Sequence, residues 1–318
     1  MELDDQPPEA VVALAERVPG WRGRLRRLDA LDGGITNHNW LVTVSGDRGA
    51  DRFVLRSPGR NSDLLGIDRR HEREATERAA DLGVGPAVVA FVEPEGALVT
   101  TFVPDARTLS PTDLRDPDVL AAVTDLIRRY HESAPISGHF DWFDVPRAYG
   151  AAARARGIAL PAAFDLAVDR ARELQRAFGI DADPLVPAHN DLLGANFLRA
   201  RDGRVWLIDW EYAGMNDRYF DLGNLAVNNQ FDDDGDEALV EAYFGEVTMG
   251  RVARLRLMKV MSDFREAMWG VVQIGTEAID LDYRAYADAH FERLLANATS
   301  HRWSRLLVEA AAGSGLRG

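Results

Sequence analysis

The 318-residue chain contains no cysteine, which excludes disulfide frameworks, thiol nucleophiles and thiolate-bound zinc or iron–sulfur centres. It contains one lysine, Lys259, among 37 basic residues. A P-loop carries a lysine directly after its glycines, so that nucleotide site is excluded from residues 1–258. Positive charge is scarce: the net charge is −14, against a general nucleic-acid binder, which needs a basic face to displace counterions. No apolar run reaches the roughly 18 residues of a membrane span. The acidic start Met1-Glu2-Leu3-Asp4-Asp5 is unlike the basic opening of a secretory signal. The expectation is a cytoplasmic protein without membrane or nucleic-acid partners. There is no H-E-x-x-H, and the only G-x-S-x-G-like trace lies in the tail Gly313-Ser314-Gly315, so zinc-protease and serine-hydrolase chemistry find no support.

What is present suffices for a large core: 46% hydrophobic and 28% charged residues, at a length of about two ordinary domains. The first part reads as short strands around one helix. After a helix over 8–17 come apolar runs at 24–31, 39–44 and 52–57, with Gly46-Asp47-Arg48-Gly49 as a hairpin turn. Ile67 to Leu82 places Ile67, His71, Ala75, Ala79 and Leu82 on one helical stripe. Runs at 87–91 and 97–102 complete the unit. Beyond Pro104 helical patterns dominate, over 118–131, 161–178, 252–278 and 283–298, with Ala310–Gly318 a frayed tail. One irregular stretch, 186–213, holds a hairpin expected at 196–198 and 205–210. The expectation is an α+β, two-lobe molecule: an antiparallel β lobe with one helix over 1–104, and a larger, mainly helical lobe over 105–318.

The acidity is concentrated. Between Asp202 and Glu241 there are eleven acidic residues and two basic ones. Part of the excess, Asp232 to Glu237, reads as a solvated loop or helix start and lacks the spacing of a calcium loop. The rest surrounds apolar strands, where negative charge is costly unless paired or metal-bound. Here lies His189-Asn190-Asp191-Leu192-Leu193-Gly194-Ala195-Asn196, followed thirteen residues after Asn196 by Asp209 in Ile208-Asp209-Trp210-Glu211. An amide oxygen and a carboxylate beside a short hairpin can hold one magnesium ion, which completes its shell with phosphate oxygens and water. Asp191 is placed to take the proton of an incoming hydroxyl, and protein kinases divide phosphoryl transfer among the same three roles. His189 reads as a structural residue that holds the loop.

These segments, with Asp217 and the run Phe220-Asp221-Leu222-Gly223-Asn224-Leu225-Ala226, resemble the choline/ethanolamine kinase family, within the aminoglycoside-phosphotransferase-like group of protein-kinase-like folds. Trp269-Gly270-Val271-Val272-Gln273, Asp282-Tyr283 and Tyr286-Ala287 extend the resemblance toward the C-terminus, and Gly33-Gly34-Ile35-Thr36-Asn37 is similar to the family's phosphate-contacting turn. The resemblance implies an ATP- and magnesium-dependent kinase with Asp191 as base and Asn196 and Asp209 as metal ligands. It implies Arg56 as the phosphate-gripping cation on its strand, Glu72 as that cation's helix partner, and Thr36 and Asn37 as phosphate contacts. Periodicity alone does not choose between Glu72 and Glu74, which could pair with Arg70 on the surface. The run 98–103 is the expected adenine slot.

A quaternary ammonium donates no hydrogen bonds, so its site needs aromatic faces and nearby carboxylates. Candidates on the acceptor side are Trp210, Glu211, Tyr212, Asn228, Trp269, Tyr283 and Tyr286, of which Trp269 and Tyr286 match the family's substrate positions. The chain departs from the eukaryotic pattern at Val272, where a second Trp is usual, and at Asn228, where a Glu is usual. The acceptor expected is a small cationic alcohol such as choline or ethanolamine. An aminoglycoside or other amino sugar, and a nucleotide-binding protein without turnover, stay open at this point. The oligomeric state, with a homodimer one option, is not legible.

Overall fold

The computed structural model describes residues 8–31, 37–47, 49–59, 63–179, 183–276 and 281–312. The Gly33-Gly34 turn, Thr36 and the 313–318 tail lie outside the described residues.

The N-terminal part is a five-stranded antiparallel sheet in the order β1 (Leu25–Leu31), β2 (Asn37–Gly46), β3 (Gly49–Pro58), β5 (Ala97–Thr101), β4 (Val88–Val92). Gly46 pairs with Gly49 across the expected hairpin. The first helix, α1 (Glu9–Glu16), lays Val11, Leu14 and Ala15 on the sheet, where they meet Val42, Leu55 and Val99 in a small core. Helix α2 (Arg69–Asp81) is started by Asp68, whose carboxylate accepts from the Arg70 N–H at 2.8 Å. Its buried Ala75 and Ala79 join the other, larger core instead of the sheet's own. The helix inserted in the sheet sequence is thereby tied to the helical part of the molecule.

The second part begins with a two-residue strand, β6 (Arg107–Thr108), and continues with α3 (Pro117–His131), α4 (Val145–Ala155) and α5 (Phe164–Gly179). Asp116 caps α3 and Pro117 takes its first turn. Short strands follow: β7 (Val186–Ala188), the hairpin β8 (Phe197–Arg199) and β9 (Val205–Leu207), and β10 (Gly214–Asn216), which pairs with β7. Then come α6 (Arg218–Asn228), α7 (Asp233–Phe244), α8 (Met249–Gln273), α9 (Tyr283–Ala298) and α10 (Trp303–Ala311). The acidic run is the capped start of α7: Asp232 accepts from the Gly235 N–H, and Asp233, Asp234 and Asp236 occupy the first turn, where the helix dipole favours negative charge. Helix α8 is buried along most of its 25 residues. Helix α6 crosses it so closely that a Cβ on Gly223 would lie 2.7 Å from the Met258 carbonyl carbon, so only glycine fits there.

Helices α4, α6 and α10 were not expected from the sequence. In α6 the Gly223-Asn224 pair lowers helix propensity, and tertiary packing overrides it. The 252–278 pattern ends at Gln273, before Gly275 with its φ of +78°. Among the described residues no helix is long and apolar enough to cross a membrane.

Candidate active site

Strand β7 delivers the chain to a loop held almost entirely by buried polar contacts. Asp221 of α6 accepts the His189 N–H at 2.8 Å and the Asn190 N–H at 2.6 Å. Its remaining partner is His131, at 3.0 Å. Burial raises the Asp221 carboxyl most, but the His131 bond together with the His131 and His189 contacts outweighs it and holds the group below its ordinary value. His189 donates from Nε2 to the Ile208 carbonyl at 3.0 Å and accepts the Asp191 N–H on Nδ1 at 3.2 Å. Burial pushes this imidazole down to about 4, so at neutral pH it is a neutral strut. Asn190 takes the left-handed conformation (φ +66°) and donates to the Tyr212 carbonyl at 3.0 Å. Gly194 sits under Leu109, whose carbonyl oxygen would be 2.6 Å from an added Cβ.

Asp191 and Asn196 close the loop: the Asn196 amide nitrogen donates to the Asp191 carbonyl at 2.8 Å, an orientation in which the amide oxygen could serve as a ligand atom. Asp209 follows the β8–β9 hairpin with a φ of +68°. Non-glycine residues pay for that conformation, and such strain gathers at functional sites. Burial raises both the Asp191 and the Asp209 carboxyls, against the opposing pull of Arg265 on the first and Arg56 on the second.

Across from this loop, Arg56 on β3 is ion-paired with both Glu72 of α2 and Asp209. Glu72 also binds Arg69 at 2.5 Å, and Arg69 reaches Glu211 at 3.3 Å. Glu74, the alternative to Glu72, accepts instead from Ser137, and Arg70 pairs with Asp68. Asn37 donates to Glu211 at 2.9 Å and accepts from Arg69 at 3.3 Å. Glu211, expected beside the acceptor, is thus placed in the network that joins sheet, α2 and the Asp209 turn.

Helix α8 supplies the other wall. Arg265 donates to Asp191 at 3.1 Å and to Glu266 at 2.7 Å, and its guanidinium lies over the Tyr212 ring at 4.3 Å. Glu266 accepts from the Tyr286 hydroxyl at 2.8 Å. Trp269 donates to the Tyr212 hydroxyl at 3.1 Å and meets Tyr286 edge-on at 5.6 Å. One face of Tyr212, a ring expected on the acceptor side, is therefore covered by Arg265.

A cleft of about 470 Å³ runs between these walls. It brings together Arg56, Asp191, Asn196, Asp209, Trp269 and Tyr286. Leu98 to Val103 lines one end except for Val99, which turns into the sheet core. Tyr212 and Trp210 also border it, though Trp210 is 1% exposed and packs on Tyr130 at 4.1 Å and His189 at 4.6 Å. Glu72 stands behind Arg56. Asn228, at the end of α6, is not among the lining residues. Arg265, Glu266, Asp221 and Arg69 were not singled out from the sequence. The signal for the first two was a charged pair three and four residues before Trp269 on the same helix.

Asn196 and Asp209 border one cleft and offer an amide and a carboxylate oxygen, the small donor set that suits magnesium with phosphate and water. Among the described residues no group of three or more His, Asp or Glu forms a cage of its own. The model of choline/ethanolamine kinases matches residues 28–238. The chain belongs to the choline/ethanolamine kinase family. A solved choline/ethanolamine kinase family protein from Mesorhizobium loti is 32% identical, with a TM-score of 0.79 over 96% of this chain and 99% of that one. A probable ethanolamine kinase from Arabidopsis thaliana is 27% identical over 81% of this chain and 76% of its own length. A solved aminoglycoside phosphotransferase shares the fold at 17% identity and a TM-score of 0.61, over 87% of this chain and 97% of its own. This choline/ethanolamine kinase family member is a phosphotransferase with an alcohol group as acceptor, in the α+β, protein-kinase-like fold.

Proposed function

We propose that the enzyme transfers the γ-phosphate of ATP to the hydroxyl of a small amino alcohol, choline or ethanolamine, in the cytoplasm. The observation that carries this is the convergence of Asp191, Asn196 and Asp209 on one cleft, with Arg56 on the sheet side and Trp269, Tyr286 and Glu266 on the other. The chain divides at 104/105 into a nucleotide lobe and a catalytic and acceptor lobe. Adenine lies against Leu98, Phe102 and Ile208. The Thr101 and Phe102 N–H groups already serve the Ala87 and Arg52 carbonyls, so Val103 is the next donor for the base edge.

Asp191 accepts the hydroxyl proton and directs the oxygen toward the γ-phosphorus. Arg56 binds phosphate oxygens with a guanidinium fixed by Glu72. Magnesium held by Asn196 and Asp209 supplies charge neutralisation on the phosphate oxygens. Trp269 and Tyr286 exclude water and face the ammonium group, with Glu266 as its counter-charge. The Glu266 carboxylate and the absence of a second tryptophan at Val272 favour ethanolamine, whose primary ammonium donates hydrogen bonds.

ADP release measured with choline, ethanolamine, aminoglycosides and amino sugars tests the assignment. Turnover is expected with ethanolamine first and choline second. Turnover confined to an aminoglycoside would overturn the acceptor, and none with any alcohol would overturn the reading.

A further inference from the structure

Five charged side chains form a ring at one wall of the cleft. Asp209 pairs with Arg56 of β3, and Arg56 with Glu72 of α2. Glu72 gives its other carboxylate oxygen to Arg69, three residues earlier on the helix, and Arg69 pairs with Glu211, two residues after Asp209. Charge alternates along these pairs, and the backbone from Asp209 to Glu211 closes the ring. Its front lies in the cleft: Arg56 and Asp209 are lining residues, whereas Arg69, Glu72 and Glu211 are not. The rear is enclosed, with the Arg69 side chain 16% exposed and those of Glu72 and Glu211 at 0% and 2%. Asn37, the first residue of β2, braces it by donating to Glu211 at 2.9 Å and accepting from Arg69 at 3.3 Å. Burial acts against the Arg69 charge, and the Glu211 carboxylate is the largest influence that supports it.

The Asp209 turn is therefore attached to β3 and α2 twice, by Arg56–Asp209 in front and by Arg69–Glu211 behind. The front attachment conflicts with the tasks of its two members, because a guanidinium and a carboxylate engaged with each other do not offer those atoms to phosphate or metal. We propose that Arg69 is a positioning residue: through Glu211 it holds the Asp209 turn to α2, so that Arg56 exchanges Asp209 for nucleotide phosphate oxygens while the turn keeps its place. The inference rests on the kinase reading above. A guanidinium suits the task, since Nη1 serves Glu72 and Glu211 while Nη2 reaches Asn37, contacts that a single ammonium nitrogen cannot all keep. Arg69 stands behind the cleft wall on the side of Arg56 and Asp209, away from Trp269 and Tyr286, so its loss falls on the nucleotide and spares the alcohol.

Arg69→Gln, Arg69→Lys, Glu211→Gln and the double variant Arg69→Gln with Glu211→Gln are compared with wild type in the full chain. ATP binding in the presence of magnesium is read by calorimetric titration, and kinetics are followed with ATP and ethanolamine varied in turn. Melting curves establish that each variant is folded. The expected result is ATP binding weakened about tenfold in Arg69→Gln and in Glu211→Gln, with KM for ethanolamine near wild type. Arg69→Lys keeps the charge but not the fork. It loses about threefold, and it carries the test should Arg69→Gln not fold. The double variant binds ATP about as weakly as the poorer single one, because both changes cut the same link. Three results would overturn the proposal: wild-type ATP affinity in the folded variants, losses that multiply in the double variant, or a KM for ethanolamine raised as much as that for ATP. A wild-type protein that turns over no alcohol would overturn the kinase reading itself, whereas active wild type with unaffected Arg69 variants removes only this role.

Discussion

Asp221 binds the backbone of Asn190, accepting its N–H at 2.6 Å from a helix more than thirty residues further along the chain. With its second oxygen on the His189 N–H and on His131, one buried carboxylate fixes the turn that presents Asp191. Helix α6 therefore sets the position of Asp191 without lining the cleft.

Replacing Asp221 by Ala leaves two backbone donors and the His131 ring without their acceptor. Stability should fall by about 1 to 3 kcal/mol for each buried donor left unsatisfied. Asp221→Asn keeps one acceptor oxygen and should lose less. Denaturant titration checks both, and an Asp221→Ala midpoint equal to wild type would show that the loop does not depend on this contact.

His189 gives stability a pH dependence of known sign. Its folded-state value, about 4, lies below the unfolded value of 6.5. Between these values the unfolded chain binds the additional proton, so the contribution is complete above pH 6.5 and is lost as pH falls toward 4. The lost stabilisation is about 3 kcal/mol. Urea midpoints of wild type and His189→Gln from neutral pH to about pH 4 should converge as pH falls, and parallel curves would contradict the neutral-strut role.

Arg56→Ala should raise KM for ATP by at least about tenfold, because it removes the proposed phosphate-binding cation and leaves Glu72 facing Asp209. Glu72→Gln should shift the same constant in the same direction by less. ATP titration calorimetry separates this from an effect on the acceptor.

Trp269→Ala should weaken binding of the amino alcohol by about 1 to 2 kcal/mol while leaving ATP binding as it is. Product-formation kinetics with each substrate varied in turn provide the check. Equal losses for both substrates would place Trp269 in packing alone.

Much of this site was legible in the linear sequence because its oxygen-bearing residues fall in two short segments, Asp191–Asn196 and Ile208–Glu211, on either side of one hairpin. Glu72 could be named but not separated from Glu74 by period, since both flank the apolar stripe. Its burial against Arg56 decides between them. Glu211 illustrates the converse: adjacency to Asp209 and Tyr212 suggested the acceptor side, while the strained turn at Asp209 sends its side chain to Arg69 and Asn37. Arg265 and Glu266 lie over fifty residues beyond Asp209, and only the packing of α8 beneath Tyr212 brings them to Asp191. The apolar stripe of α2 and the runs of the N-terminal sheet were readable from period, whereas α4 and α10 were missed although each carries an apolar face. Helix α6 was missed as well, because its glycine and asparagine serve α8 and the 189–192 loop instead of helix propensity.

In the proposed reaction Asp191 activates an alcohol for attack on ATP. The most direct test follows transfer of labelled γ-phosphate to ethanolamine and choline by wild type and Asp191→Asn, with melting curves of both. A phosphomonoester product is expected from wild type and none from a fully folded Asp191→Asn. Wild-type rates in that variant would contradict it.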